Sequence, residues 1–418
     1  MSQTPDISQL VRVFGRIGLL SFGGPAAQIG LMHQELVDRA RWLKEEEFLG
    51  ALSFCMLLPG PEAMQLATFC GWKLRGTLGG VIAGALFVLP GAALIFLLAA
   101  GYAHYGDVPL VSAAFVGVQA AVVALILQAL IKLSRRLLRK RLDIAVATLS
   151  FAALYTATLP FPAVILAAGI LGFVVPSNEP VKAVVSPHVS RDSATRSSLK
   201  AIAIWGTLWA IPVAILVFNG GFLKDVALFF SKLAVVSFGG AYALLAYMVQ
   251  TVVQDFGWLS TDQMMDALGL AETTPGPLIL VTQFVATVSG VFQGGPMMAF
   301  AAGLVALWCT FIPCFLWIFA GAPHVSRILS APRLSQSLNL ISTAVVGVIM
   351  NLSLWFTINL LFSDVVPTTI GPLPVLNSLD LGASALVAIA ITALIALRLP
   401  LLVVLVLSAC AATLLNLV

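Results

Sequence analysis

Residues 77–103, TLGGVIAGALFVLPGAALIFLLAAGYA, contain no charged side chain. About 20 apolar residues in helical form cross a bilayer, so this stretch is long enough to span one. It is one of many such runs. The chain has 418 residues, of which 60% are hydrophobic and only 10% charged, with a mean hydropathy of +1.03. A soluble domain carries about 25% charged residues to cover its surface. The shortfall excludes a soluble enzyme, a nucleic-acid binder and a disordered chain. The alternating ten-residue strands of an outer-membrane barrel are absent. The expected fold class is an all-α polytopic membrane protein.

Working outward, apolar segments fall at 9–32, 47–70, 77–103, 108–131, 142–157 and 161–176, then at 200–219, 226–250, 263–292, 296–321, 335–362, 380–397 and 399–417. That is about 13 spans, each near the length a bilayer needs. Between the two sets, Ser177 to Ser198 is polar, carries Arg191, Asp192 and Arg196, and reads as a loop. The expected organisation is a first membrane repeat over 1–176, a cytoplasmic linker over 177–199, an extra span over 200–225 and a second repeat over 226–418. Pro160 and Pro162 favour a break inside 142–176, and Arg398 and Pro400 raise the same choice inside 380–417.

Charge sets the orientation. With the N-terminus inside, the inner segments hold Arg12, Arg16, Lys73, Arg75, the basic run from Lys132 to Arg141, Lys182, Arg191, Arg196, Lys200, Arg327, Arg333 and Arg398. The outer segments hold only Arg39, Arg41, Lys44 and Lys224. The positive-inside rule then predicts a cytoplasmic N-terminus and a periplasmic C-terminus in a bacterial inner membrane. The inner loop 251–262, with Asp255 and Asp262 but no base, is the weak point. MSQTPDISQL at the start lacks a signal-peptide core. The five cysteines (Cys55, Cys70, Cys309, Cys314, Cys410) form no CxxC and read as packing residues, and the four histidines are scattered. No metal site and no cofactor are expected.

The two halves repeat each other. Ser21-Phe22-Gly23-Gly24 recurs as Ser237-Phe238-Gly239-Gly240, Trp42-Leu43 as Trp258-Leu259, and Pro59-Gly60-Pro61 as Pro275-Gly276-Pro277, all at an offset of 216. Phe14 pairs with Phe230 and Arg16 with Lys232 at the same offset. Pro90 pairs with Pro313, and Ala121-Val122-Val123 with Ala344-Val345-Val346, at 223. Seven spans precede the second copy, and an odd number inverts it. Inverted-topology repeats are an architecture of secondary transporters, with the substrate site at the repeat interface. A duplicated bundle without transport is the plainer alternative.

The repeated motifs are helix breakers. Gly23-Gly24 interrupts an apolar segment, and Pro25 suits the first turn of a new helix. Gly240-Ala241 lacks that proline. Prolines on both sides of Gly60 and Gly276 forbid a continuous helix. Irregular backbone at membrane depth is tolerated only inside protein or beside a water-filled cavity. Helices starting after Pro61 and Pro277 would present N–H groups and a positive dipole end, which suits an anion. A kink satisfied by its neighbours is the alternative. Ser21, Phe22, Ser237 and Phe238 belong to the same candidate site, with Gln65 and Gln283 as hydrogen-bond donors and Thr273 and Thr274 as caps. Arg16 and Lys232 would attract an anion or snorkel to the interface. Glu62 and Glu272 would serve a helix dipole or carry a coupling charge. The mixed-charge segment from Glu35 to Glu47 reads as a solvated connection, with a substrate-attracting vestibule as the alternative.

These residues resemble the chromate ion transporter family in its two-domain, long-chain form. The resemblance rests on Phe22-Gly23-Gly24-Pro25, Arg41-Trp42-Leu43, Leu57-Leu58-Pro59-Gly60-Pro61, Gln65-Leu66-Ala67, Leu89-Pro90-Gly91, Ser237-Phe238-Gly239-Gly240 and Ala271-Glu272-Thr273-Thr274-Pro275-Gly276-Pro277. Met56 stands where that pattern leads one to expect a glutamine. The resemblance implies export of chromate across the inner membrane, conferring chromate resistance and driven by membrane potential or ion exchange. The residues alone reach a secondary transporter for an anion. Chromate and sulfate are both tetrahedral dianions, so a sulfate transporter stays open, as does an anion channel built from broken helices. No nucleotide loop, HExxH or clustered Asp/His set points to an enzyme. The expected partners are the oxyanion, the lipid bilayer and a second copy in a homodimer, with no nucleic acid.

Overall fold

The computed structural model describes residues 5–175, 191–238, 241–329, 331–368 and 371–417. The chain is overwhelmingly helical. In the first half, α1 (Ile7–Leu20), α2 (Gly24–His33), α3 (Glu45–Cys55) and α4 (Glu62–Tyr105) are followed by α5 (Pro109–Leu137), α6 (Arg141–Tyr155) and α7 (Phe161–Val174). The second half opens with α8 (Arg191–Asn219), α9 (Phe222–Val236), α10 (Ala241–Val249), α11 (Thr261–Thr273) and α12 (Val281–Gly321). It continues through α13 (Val325–Leu329), α14 (Pro332–Leu361), α15 (Leu381–Ile391) and α16 (Leu401–Leu417).

Five helices among the described residues are long and apolar enough to cross a membrane: 62–105, 109–137, 194–219, 278–324 and 332–361. The difference from about 13 full spans has a physical cause. Four expected spans are interrupted, and α4 and α12 each carry a non-helical break, at Arg75–Gly76 and Gly294–Gly295. The segment 9–32 is α1, a 14-residue helix rising about 21 Å, then a break and the ten-residue α2. The segments 47–70, 226–250 and 263–292 are likewise interrupted, at 56–61, after Val236 and at 274–280. The segment 142–176 resolves into α6 and α7, with Pro160 capping the second, and 380–417 into two helices around Arg398, which has φ 56°.

Two expectations need correction. Helix α8 begins at Arg191, so the end of the stretch read as a loop is helical, and Ser198 Oγ donates to the Ala320 carbonyl at 2.7 Å. Residues 176–190, the rest of that linker, lie outside the described residues. The connection 363–379, which carries no Lys or Arg and reads from the sequence as an outer loop, is not plain loop. Val365–Thr368 (β1) pairs antiparallel with Gly371–Pro374 (β2), Val365 opposite Pro374, because β-branched residues and prolines disfavour a helix there.

The chain forms two compact units, and neither is a sequence half. One comprises Met1–Ala100, Ser177–Ala241 and Ala271–Ser335, the other Gly101–Pro176, Tyr242–Leu270 and Gln336–Val418. In the first unit small residues let helices approach, as expected where no water drives association. A Cβ on Gly80 would come within 2.6 Å of the Phe319 ring, and one on Gly303 within 2.5 Å of the Phe96 ring. Gly80 and Gly303 are related by the 223 offset, and so are Phe96 and Phe319. The duplicated helices thus make equivalent contacts on each other. In the second unit α5 packs on α15 and α16 around Ala121, Ala124, Ala390, Ala393 and Val404. Helices α6 and α7 meet α14 there, with Ser337 Oγ donating to the Gly169 carbonyl at 2.7 Å.

Duplication reaches features finer than the motifs. Helix α2 runs into a π turn at Gln34–Arg39 and α10 into one at Gln250–Asp255, again 216 apart. The Trp42 N–H donates to the Leu36 carbonyl at 2.9 Å, and the Trp258 N–H to Val252 at 2.9 Å. The residue before each tryptophan is left-handed: Arg41 with φ 54° and Gly257 with φ 61°. That conformation costs a side-chain-bearing residue roughly 1 kcal/mol and glycine almost nothing. Arg41→Gly should therefore stabilise by about 0.5–1 kcal/mol, and Gly257→Ala should destabilise by about 1 kcal/mol. Thermal unfolding in detergent measures both, and unchanged midpoints would contradict the argument.

Candidate functional site

The four motif breaks fall in the first unit, and two pairs of them meet. Helix α1 ends at Ser21, with φ −78° and ψ 68°, and α9 ends at Ser237, with φ −79° and ψ 64°. Each serine centres an inverse γ-turn: the Phe22 N–H donates to Leu20 O and the Phe238 N–H to Val236 O, both at 2.9 Å. The turn swings the serine carbonyl off the helix axis. Each hydroxyl bonds back into its own helix, Ser21 Oγ to Ile17 O at 2.6 Å and Ser237 Oγ to Ala234 O at 3.0 Å. The freed carbonyls reach across the repeat. Gly276 N–H donates to Ser21 O and Gly60 N–H to Ser237 O, each at 2.9 Å.

The glycine N–H groups of the two Pro-Gly-Pro turns are not open to an anion, because the partner repeat's serine occupies each. Neighbouring prolines have no N–H to offer. Donors that point elsewhere are the first-turn N–H groups of the helices that begin at the breaks, which lack an intrahelical acceptor. Helix α4 starts at Glu62, directly after Pro61, with Glu62 in its first turn and half-buried. Helix α2 starts at Gly24 with Pro25 in its first turn; Gly23 and Gly24 are left-handed at φ 85° and 81°. A short 3₁₀ turn over Leu278–Leu280 follows Pro277 and leads into α12.

Three glutamines crowd these turns with less than 3% of their surface exposed. Gln65 Nε2 donates to Pro59 O at 2.6 Å, Gln283 Nε2 to Ala92 O at 2.9 Å, and Gln28 Nε2 to Gly276 O at 2.6 Å. The Oε1 atom of each has no partner. An amide nitrogen carries two hydrogens; Gln28 Nε2 uses both, since it also donates to Ser21 O at 3.4 Å, whereas these bonds of Gln65 and Gln283 use one each. Gln28 was not singled out from the sequence, and its only signal was an amide one turn after Pro25. Close packing fixes the glycines. A Cβ on Gly60 would lie 2.7 Å from Gln65 Nε2 and 3.0 Å from Cys314 Sγ, and one on Gly276 3.2 Å from Leu280 and 3.3 Å from Phe87 O. The two turns differ in access: Pro275, Gly276 and Pro277 are buried, whereas Gly60 and Pro61 are half-buried.

The charged candidates divide. Arg16 Nε lies 3.7 Å from Glu35, which also binds Arg39 Nη1 at 2.5 Å. Arg16 is thus partnered by a carboxylate, and the Glu35 side chain is 6% exposed and not solvated as the segment's composition suggested. The position equivalent to Glu35 is Thr251, so the second repeat does not copy this pair. Lys232 is exposed on α9. Glu272 is buried on α11, and Thr274 Oγ1 donates to Ala271 O at 2.7 Å, closing the helix before the break; Thr273 is half-buried. Phe22 is exposed and Phe238 half-buried. Gly239 and Gly240 lie outside the described residues. The second unit holds a separate cavity of about 300 Å³ lined by Tyr155, Tyr247, Gln250, Asn351 and Trp355 and by no charged side chain.

The chain's similarity to known proteins follows the same residues. A family model described as chromate transporter matches 8–173 and 224–414, covering both copies of the break motifs. A protein named chromate transport protein from Pseudomonas aeruginosa is 33% identical over 82% of this chain and 79% of its own. One named probable chromate transport protein from Synechococcus elongatus is 30% identical over 82% and 83%. A chromate transport protein from Cupriavidus metallidurans is 28% identical over 83% and 81%. No solved structure matches. Apolar helices, duplicated breaks and a match across both halves lead to one conclusion: the chain belongs to the chromate transporter family, whose members are transport proteins and not enzymes.

Proposed function

We propose that this chain is a secondary transporter that exports chromate across the inner membrane, with its N-terminus cytoplasmic and C-terminus periplasmic. The observation that carries the reading is the crossed pairing of the two serine turns with the two Pro-Gly-Pro turns. It gathers broken helices from both repeats in one place, the arrangement secondary transporters use for a site near the midplane. The repeats are related by an axis in the membrane plane, a reading supported by the 216 offset and the odd number of expected segments between the copies.

The oxyanion sits against the starts of α2 and α4 and the remaining amide hydrogens of Gln65 and Gln283. Bare dianions are prohibitively costly in hydrocarbon. Neutral donors replace hydration without a fixed cation that would hold the ligand too tightly to release. Each elementary charge moved across 100 mV is worth about 2.3 kcal/mol. A dianion leaving a negative interior therefore gains about 4.6 kcal/mol, enough for roughly a thousandfold gradient. Export needs no further energy source, whereas uptake does.

Alkaline phosphatase fused after Val418 should be active, and fused at Arg139 inactive; the reverse pattern would refute the orientation. Gly60→Val should lower chromate flux into inverted vesicles at least about tenfold, since strain at a left-handed position amounts to 1–3 kcal/mol, while the protein still reaches the membrane. Gly276→Val should do the same. Labelled sulfate run in parallel identifies the preferred dianion, and saturable counterflow separates a carrier from a channel. Normal flux in the well-expressed double variant would place the anion elsewhere.

A further inference from the structure

Asp266 has no part in the reading above. It lies on α11 with 5% of its surface exposed. Its Oδ2 accepts from the Tyr102 hydroxyl at 2.7 Å and its Oδ1 from Gln119 Nε2 at 2.8 Å. Tyr102 is in the last turn of α4 and Gln119 is on α5, and all three belong to the second unit. Two further acids act on this cluster, and His104 lies in the same last turn of α4 as Tyr102. Asp262 is exposed one turn earlier on α11, and Asp107 is exposed between α4 and α5. Among the described residues no Lys, Arg or His pairs with Asp266.

A carboxylate removed from water is costly without a counter-charge, and acids in membrane helices are rare and mark ion or proton paths. A simple cross-link between α4, α5 and α11 could be made by asparagine, which has both a donor and an acceptor. What the carboxyl adds is an exchangeable proton. The position 216 residues earlier is Gly50, so the duplication does not require an acid here.

The two partners respond differently to that proton. Gln119 Nε2 can only donate, whereas the Tyr102 hydroxyl can donate or accept. Ionised, Asp266 accepts from both. Once a proton binds Oδ2, that oxygen donates to Tyr102, whose own hydrogen must turn to another acceptor. The state of Asp266 is thus passed to the end of α4, whose Tyr102 half is separated by a non-helical break at Arg75 and Gly76 from the half that begins at the first Pro-Gly-Pro turn, while α11 leads directly into the second turn.

We propose that Asp266 is a proton-binding site that couples proton movement to transport of the oxyanion, with Tyr102 as its positioning partner; the coupling rests on the transport reading above. The proton comes from water on one side, binds Oδ2, and returns to water in the alternate conformation, with no other bond made or broken. Infrared difference spectra of the purified full-length protein between acid and alkaline buffer test the site without any oxyanion. Among the protonated-carboxyl bands of the chain's 18 Asp and Glu residues, one should be missing in Asp266→Asn and titrate at a shifted pH in Tyr102→Phe. An unchanged band in Asp266→Asn overturns the assignment. In proteoliposomes carrying a trapped pH dye, a chromate gradient should drive proton movement in the wild type and in Asp266→Glu but not in Asp266→Asn. Equal proton movement in Asp266→Asn overturns the coupling. A wild type whose band titrates but which moves no chromate overturns the transport reading and the coupling with it, and supports the proton site.

Discussion

Two backbone hydrogen bonds, Gly60 N–H to Ser237 O and Gly276 N–H to Ser21 O, hold the centre of this protein together. In a membrane every backbone polar group must find its partner inside the protein. Four interrupted helices leave many such groups exposed. The protein answers by making one repeat's break the partner of the other's. Each Pro-Gly-Pro trio has a single N–H, on its glycine, and each serine turn presents a single displaced carbonyl. Donor and acceptor match one to one, twice.

This constraint explains residues that hydropathy alone cannot. Glycine stands at 60 and 276 because both positions have positive φ, 121° and 93°, and both are packed against neighbours on the side a Cβ would take. The flanking prolines keep other N–H groups from competing. The cost is local helix, and it yields helix starts inside the protein, where a neutral site for a dianion can be assembled from dipoles and amides.

Much of this was legible in the sequence. Breakers announce themselves through glycine and proline chemistry, so the starts of α2 and α4 and the separation of α6 from α7 follow from Pro25, Pro61 and Pro160. The 216 register extended, unforeseen, to paired π turns and to the left-handed Arg41 and Gly257. Other features were hidden for physical reasons. A bond between backbone groups of residues far apart leaves no trace in side-chain pattern, so the crossed pairing of the serine turns with Gly60 and Gly276 could not be read from the sequence. Glu35 looked solvated because its neighbours are charged, yet its side chain turns inward between Arg16 and Arg39. Asp266 was a lone acid in an apolar stretch, and its significance came only with Tyr102 and Gln119 beside it.

The most direct test of this account is hydrogen–deuterium exchange at the two Pro-Gly-Pro turns of the purified protein. Each trio contains a single exchangeable amide, so the Gly60 and Gly276 signals can be read cleanly. If the crossed bonds exist, both amides exchange orders of magnitude more slowly than an unprotected glycine, and they do so in the absence of any oxyanion. Rapid exchange at both glycines, slowed only when chromate is added, would show that these N–H groups face the ligand and that the repeats are held together in some other way.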